Sequence, residues 1–208
     1  MSRREAPMAA LEAYLPADTY PAVLDYLQQF KVHLTVARER KSILGDYRHR
    51  THGQNHRISV NGNLNKYSFL ITLLHELAHL LTYEHYGNRV MSHGREWKKI
   101  YGQLLAQFLE KKVFPADIEA ELQRSLHNPG ATTCAEDQLL RVLRKYDPQQ
   151  NGRMLIEELP ASAIFQTDDG RIFRKQEKLR KRYRGTEIKT GRIYLFSPIY
   201  EVKLLASE

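Results

Sequence analysis

The 208-residue sequence predicts an α+β chain: helices packed on a small, mostly antiparallel sheet, followed by a small β-rich unit with a basic surface. Three observations predict it. Polar–apolar alternation is confined to short runs before residue 61, which suits strands. Longer apolar patterns with helical spacing then run from about Phe69 to Tyr146. From Asp147 onward, turn pairs such as Asn151-Gly152 and Asp169-Gly170 separate short apolar runs, as in successive hairpins.

Taken in order, Leu11 to Phe30 reads as a helical region broken near Pro16 and Pro21. Tyr20 and Pro21 open a helix with Val23, Leu24, Leu27 and Phe30 on its apolar face. Lys31 to Ala37 alternates and predicts a strand, Ile43 to Tyr47 a turn into a second, and Arg57 to Val60 a third closed by Asn61-Gly62-Asn63. Phe69 to Leu81 is the most apolar segment and predicts a buried helix running to Tyr86, stopped by Gly87 or Asn88. A second helix follows His93-Gly94 and reaches Lys111. A third follows Pro115, a residue suited to a first turn, and stops at Asn128-Pro129-Gly130. Thr133 with Glu136 has capping-box spacing and opens a fourth helix to Tyr146. Ile164 to Phe173 and Arg182 to Phe196 each predict a hairpin. The expected boundary lies near Gly130, with a metal-site domain over 1–130 and a helix plus basic β unit over 131–208.

Composition narrows the chemistry. With 42% hydrophobic and 27% charged residues the chain is of ordinary globular character. No run reaches the ~20 apolar residues of a membrane helix, so no membrane partner is expected. Met1 to Pro16 lacks the apolar core of a signal peptide, and a cytoplasmic location is expected. Cys134 is the only cysteine, which excludes an intramolecular disulfide and any cysteine-rich zinc site. A transition metal must therefore be held by histidines and carboxylates. The net charge of +8 favours acidic partners, above all nucleic acid. Ten Lys or Arg against two Glu lie between Arg171 and Arg192, so the tail carries most of the excess.

His75-Glu76-Leu77-Ala78-His79 is an H-E-x-x-H pattern. On a helix, positions four apart differ by about 40° of rotation and 6 Å of rise, so both imidazoles can share one ion. Glu76 then reaches a water on that ion without ligating it, as a general base requires. Leu73, Leu74, Leu77, Ala78 and Leu80 around the pattern bury it, and a buried polar cluster needs a partner. For the third ligand, His85 is placed about 240° round the helix and ~9 Å beyond His79 if the helix is unbroken, facing away; Glu84 fails similarly. His93 follows the Gly87-Asn88 stop, where the chain can fold back, and is favoured, with His85 as the competitor.

The motif with the downstream His93-Gly94-Arg95-Glu96-Trp97 resembles the SprT-like family, which includes bacterial SprT proteins and the eukaryotic Spartan DNA–protein crosslink proteases. The likeness is strongest over Ser68 to Tyr101 and extends more loosely from Tyr20 to Asn128. It implies a zincin-like metallopeptidase domain with one catalytic Zn²⁺ on His75, His79 and His93, Glu76 as the catalytic base, and Trp97 as a packing residue. It also implies a protein or peptide substrate, with DNA as a further partner. Many SprT proteins end in a zinc ribbon built on cysteine pairs. Lys178 to Val202 resembles its strands but has no cysteine, so Phe173, Tyr183, Ile193, Leu195 and Tyr200 are expected to hold the unit instead.

Two basic regions remain. Arg180, Lys181, Arg182 and Arg184, near Phe173, Tyr183, Tyr194 and Phe196, combine cations for phosphates with aromatics for bases, or else form a solvated face over a small core. Arg38, Arg40, Lys41, Arg48, Arg50 and Arg57, with His49, His52 and His56, are expected as exposed polar residues on a hairpin beside the motif helix. Zinc-dependent proteolysis is the leading reading. A DNA-binding or transcription-elongation accessory protein with a structural or weakly active zinc site, and a narrow peptidase unrelated to nucleic acid, are the alternatives.

Overall fold

The computed structural model describes residues 8–40, 43–51, 53–126, 137–148 and 152–206. The stop at Asn128-Pro129-Gly130, the capping pair Thr133/Glu136, Cys134, Lys41 and His52 lie outside these residues. The chain forms two compact units, divided between Asp147 and Pro148. The boundary therefore falls later than the expected Gly130. The last helix packs Leu139, Val142 and Leu143 into the first core, and Asn65 ties it there by donating to the Leu143 carbonyl (3.0 Å) and Asp147 Oδ1 (2.6 Å).

In the first unit, a 3₁₀ turn (Met8–Tyr14) precedes α1 (Tyr20–Gln29), β1 (His33–Ala37), β2 (Gly45–Arg48) and β3 (Arg57–Asn61). Helices α2 (Lys66–Tyr86), α3 (Arg95–Glu110), α4 (Ala116–Ser125) and α5 (Asp137–Arg144) follow. The sheet order is β1-β3-β2, with β1 parallel and β2 antiparallel to β3. The sheet is thus evenly mixed rather than mostly antiparallel. The physical reason is burial: β3 presents Ile58 and Val60 to the core and takes the central place, so β1 and β2 flank it and β2 becomes an edge strand. Helix α2 crosses the middle of the unit, with thirteen of its 21 residues buried. Asn65 caps its start by accepting from the Tyr67 and Ser68 amides, and Gly87 ends it at φ +60°, a conformation that favours glycine.

The second unit contains β4 (Arg153–Leu155), β5 (Ile164–Gln166), β6 (Ile172–Lys178), β7 (Tyr183–Glu187), β8 (Ile193–Phe196) and β9 (Glu201–Ala206). These form one six-stranded antiparallel sheet, ordered β4-β9-β5-β6-β7-β8. Its core is Ile156, Leu159, Ala163, Phe165, Phe173, Phe196 and Val202. Of the residues expected to hold it, Phe173 is buried and Tyr183 packs at the margin, whereas Ile193, Leu195 and Tyr200 are exposed. Strand β8 turns Tyr194 and Phe196 inward, and with a side-chain period of two their neighbours must face out.

Candidate metal centre

Helix α2 carries His75 and His79 one turn apart, both on the side facing α3. His93 reaches them from the turn between the two helices. That turn is closed by the Gly94 amide donating to the Met91 carbonyl (2.9 Å). His93 itself sits at φ +58°, a strained conformation for a side-chain-bearing residue and one that surrounding packing must hold. The three Nε2 atoms converge: 3.3 Å between His75 and His79, 2.9 Å between His79 and His93, and 3.1 Å between His93 and His75. Among the described residues this is the one group of three or more His, Cys, Asp or Glu side chains placed to hold a metal ion.

Trp97 builds the wall behind them. It is fully buried on α3, and its ring centroid lies 4.7, 5.3 and 4.6 Å from those of His75, His79 and His93. Tyr101, one helical turn on, packs at 5.5 Å from His75 and 4.9 Å from Trp97. His75 Nδ1 has no hydrogen-bond partner among the described residues, so this ring is oriented by aromatic packing rather than by a polar anchor.

The donor set fits a divalent cation. Burial holds His75 down at about 3 and His79 at about 4, and lowers His93 as well; the neighbouring imidazoles add to the first two and Lys98 to the third. All three rings are therefore neutral at pH 7, and three neutral nitrogens pointing at one spot present lone pairs to each other. A tetrahedral site with bonds of about 2.0–2.1 Å needs ligand edges of about 3.3 Å. The observed triangle is within a few tenths of that. His85, by contrast, is exposed, with its ring tilted against Tyr86 at a centroid distance of 6.2 Å. Residues 19–120, spanning α1 to the first half of α4 and all three histidines, match the SprT-like family model.

Over that segment the chain belongs to the SprT-like family. No curated protein and no solved structure matches the chain.

In the SprT-like domain, Glu76 is buried at 6% exposure and lies against edge strand β2. A Cβ placed on Gly45 would come within 2.6 Å of Glu76 Oε1 and 2.8 Å of Thr72 Cγ2. Only glycine lets β2 approach α2 this closely. Burial, reinforced by Asp46 and opposed by Arg40, pushes the Glu76 carboxyl up to about 8. Arg40 is itself fixed, donating to Asn61 Oδ1 (2.8 Å) and Ser59 Oγ (2.9 Å).

Two residues along β2, Tyr47 lies parallel to the His79 ring at a centroid distance of 6.4 Å. Its hydroxyl is 2.9 Å from His56 Nδ1, which also accepts from the Arg50 amide (3.3 Å). Both contacts leave Nδ1 as the acceptor, so the proton sits on Nε2, 3.2 Å from Glu84 Oε1. His56 was expected to be exposed but is 2% exposed, because Tyr47, Tyr83 and Glu84 enclose it. His49 stacks on Tyr83 at 4.6 Å, while Arg48 pairs with Asp46 and Arg50 with Glu84. Gly45, Tyr47, His56 and Glu84 are absent from the sequence-derived site. Their partners are distant in sequence, and no periodicity points to them. In the second unit, Arg180, Lys181 and Arg182 are exposed at the β6–β7 connection, and Arg184 pairs with Glu177 at 2.8 Å.

Proposed function

We propose that the SprT-like domain is a zinc-dependent peptidase that hydrolyses peptide bonds with Glu76 as general base. The observation that supports this most is the meeting of three imidazole nitrogens, with a buried carboxyl on the residue that directly follows one of them in sequence. His75, His79 and His93 are the residues that would hold the ion. A neutral all-imidazole set suits zinc, and three protein ligands rather than four is the count of a catalytic site. Zinc bound there supplies a Lewis acid that acidifies water and polarises a carbonyl.

Glu76 supplies the proton chemistry. A buried carboxyl with a pKa near the working pH can take a proton from the attacking water and return it to the leaving amine. With positive charge in the adjacent site Glu76 ionises at lower pH, so it is ready as a base at neutrality. Trp97 and Tyr101 keep the ligand rings in place from behind. We read the first unit as zincin-like and the β7–β8 hairpin as a cysteine-less counterpart of the family's ribbon. Proteins bound to DNA are the proposed substrates, a reading supported by the exposed cations of the β6–β7 connection.

The test is a variant series on the full chain. Glu76→Gln is expected to keep one zinc per chain and the wild-type melting temperature while losing about 10²- to 10⁴-fold in kcat/KM. His93→Ala is expected to lose zinc and His85→Ala to retain it. Unchanged cleavage by Glu76→Gln would remove the mechanism. Full zinc loading without turnover on any protein substrate would favour the accessory-protein reading.

A further inference from the structure

A groove of about 1050 Å³ opens beside His93 and follows the outer face of α3. Helix α3 contributes most of its lining, with Arg95, Lys98 or Lys99, Gly102 and Ala106 at steps of three or four along one side of the helix and Glu96 and Gln103 beside them. Leu126, just past α4, lies against Gly102: a Cβ there would come within 3.0 Å of the Leu126 carbonyl oxygen. The lining carries three cations, Arg95, Lys98 and Lys99, against the single carboxylate of Glu96. Lys98 is near enough to His93 for its charge to act on that ring, which places the cations at the metal end of the groove. The start of α3 faces the same end. Gly94 caps it without a side-chain hydrogen bond, so the helix adds partial positive charge there, partly offset by Glu96.

We infer that this groove holds the stretch of substrate flanking the scissile bond on one side, and that it selects acidic peptide segments. The inference rests on the peptidase reading and names its substrate class. From Arg95 to Gly102 the helix runs about 10 Å, the length of roughly three extended residues. A peptide with Asp or Glu in that stretch meets the cations Arg95, Lys98 and Lys99. A nucleic acid strand fits less well: binding without base pairing relies on aromatic platforms, and Tyr86 is the one aromatic in the lining other than His93.

The experiment uses the zinc-loaded full chain carrying Glu76→Gln, so that binding is read without cleavage. Fluorescein-labelled peptides share one neutral core and carry Asp/Glu, Asn/Gln or Lys on either flank; anisotropy gives their affinities. Acidic peptides are expected to bind about tenfold more tightly than Lys peptides, with the effect confined to one flank and weakened by salt. Lys98→Glu with Lys99→Glu is expected to invert the acidic-to-basic ratio, and Lys98→Gln with Lys99→Gln to bring it near unity, with thermal melting as the check on folding. Equal affinity for acidic and basic peptides overturns the inference. So does displacement of the acidic peptide by a short oligothymidylate at lower concentration than by unlabelled peptide, which would assign the groove to nucleic acid. The same peptides given to the chain with Glu76 intact separate the two readings. Cleavage without charge preference defeats the groove alone, and charge-selective binding without cleavage defeats the peptidase alone.

Discussion

Replacing Gly45 by alanine tests how closely β2 is laid against the motif helix. The added methyl would sit 2.6 Å from Glu76 Oε1, 2.9 Å from Glu76 Cγ and 2.8 Å from Thr72 Cγ2, all inside van der Waals contact. Gly45 has no positive φ, so the penalty is steric rather than conformational. Overfilling a packed site costs about 1–3 kcal/mol, which for a unit of this size lowers the melting temperature by roughly 3–10 °C. Either the edge strand moves out or Glu76 swings away. A displacement of about 1 Å at a catalytic group can cost on the order of 10²-fold, so kcat/KM should fall by about that factor and by no more than in Glu76→Ala. Differential scanning calorimetry and steady-state kinetics read the two effects separately. A double-mutant cycle locates them: two of the three close contacts belong to Glu76, so Gly45→Ala should be milder in a Glu76→Ala background, with a coupling of about 1 kcal/mol. Additive penalties, or an alanine variant with wild-type melting and turnover, would refute the close approach of β2 to α2.

Two further outcomes are expected. In metal-chelated protein, the folded-state pKa of Glu76 is raised from 4.5 to about 8, so its contribution to stability is complete below about 4.5 and is lost as pH rises through 8. His75 and His79 are depressed from 6.5 to about 3 and 4, so theirs is present above 6.5 and lost as pH falls through those values. Chelated Glu76→Gln should therefore gain on wild type as pH climbs from 6 to 9, by on the order of a few kcal/mol, and parallel melting curves over that range would contradict it. For the second unit, neutralising Arg180, Lys181, Arg182 and Arg184 together should weaken DNA binding and flatten the slope of log affinity against log salt, as read by anisotropy titrations; an unchanged slope would favour a peptidase unrelated to nucleic acid.

Much of the site was legible because its parts are local. His75, Glu76 and His79 sit within one helical turn or so, where spacing alone fixes a shared direction. Gly87 ends α2 where the pattern predicted, and His93 comes back to the same two rings from the following turn. The hairpins Ile164–Lys178 and Tyr183–Phe196 were visible for the same reason, since Asp169-Gly170 and Thr190-Gly191 mark short-range turns. What escaped was long-range: the parallel pairing of β1 with β3, the last strand β9 between β4 and β5, and the inward phase of β8.

Residue types and their spacing along one helix determined that His75 and His79 share a face, that a metal there would meet imidazole rather than thiolate donors, and that no cysteine-rich site can form. Tertiary structure decided what surrounds it: Gly45 seating Glu76, Tyr47 and His56 beside His79, Trp97 against all three imidazoles, and the cationic groove leading away from His93. A helix carries its own period and so writes side-chain direction into the chain. Which strand or helix lies against that face depends on burial summed over the whole unit, and no short stretch of sequence holds that sum.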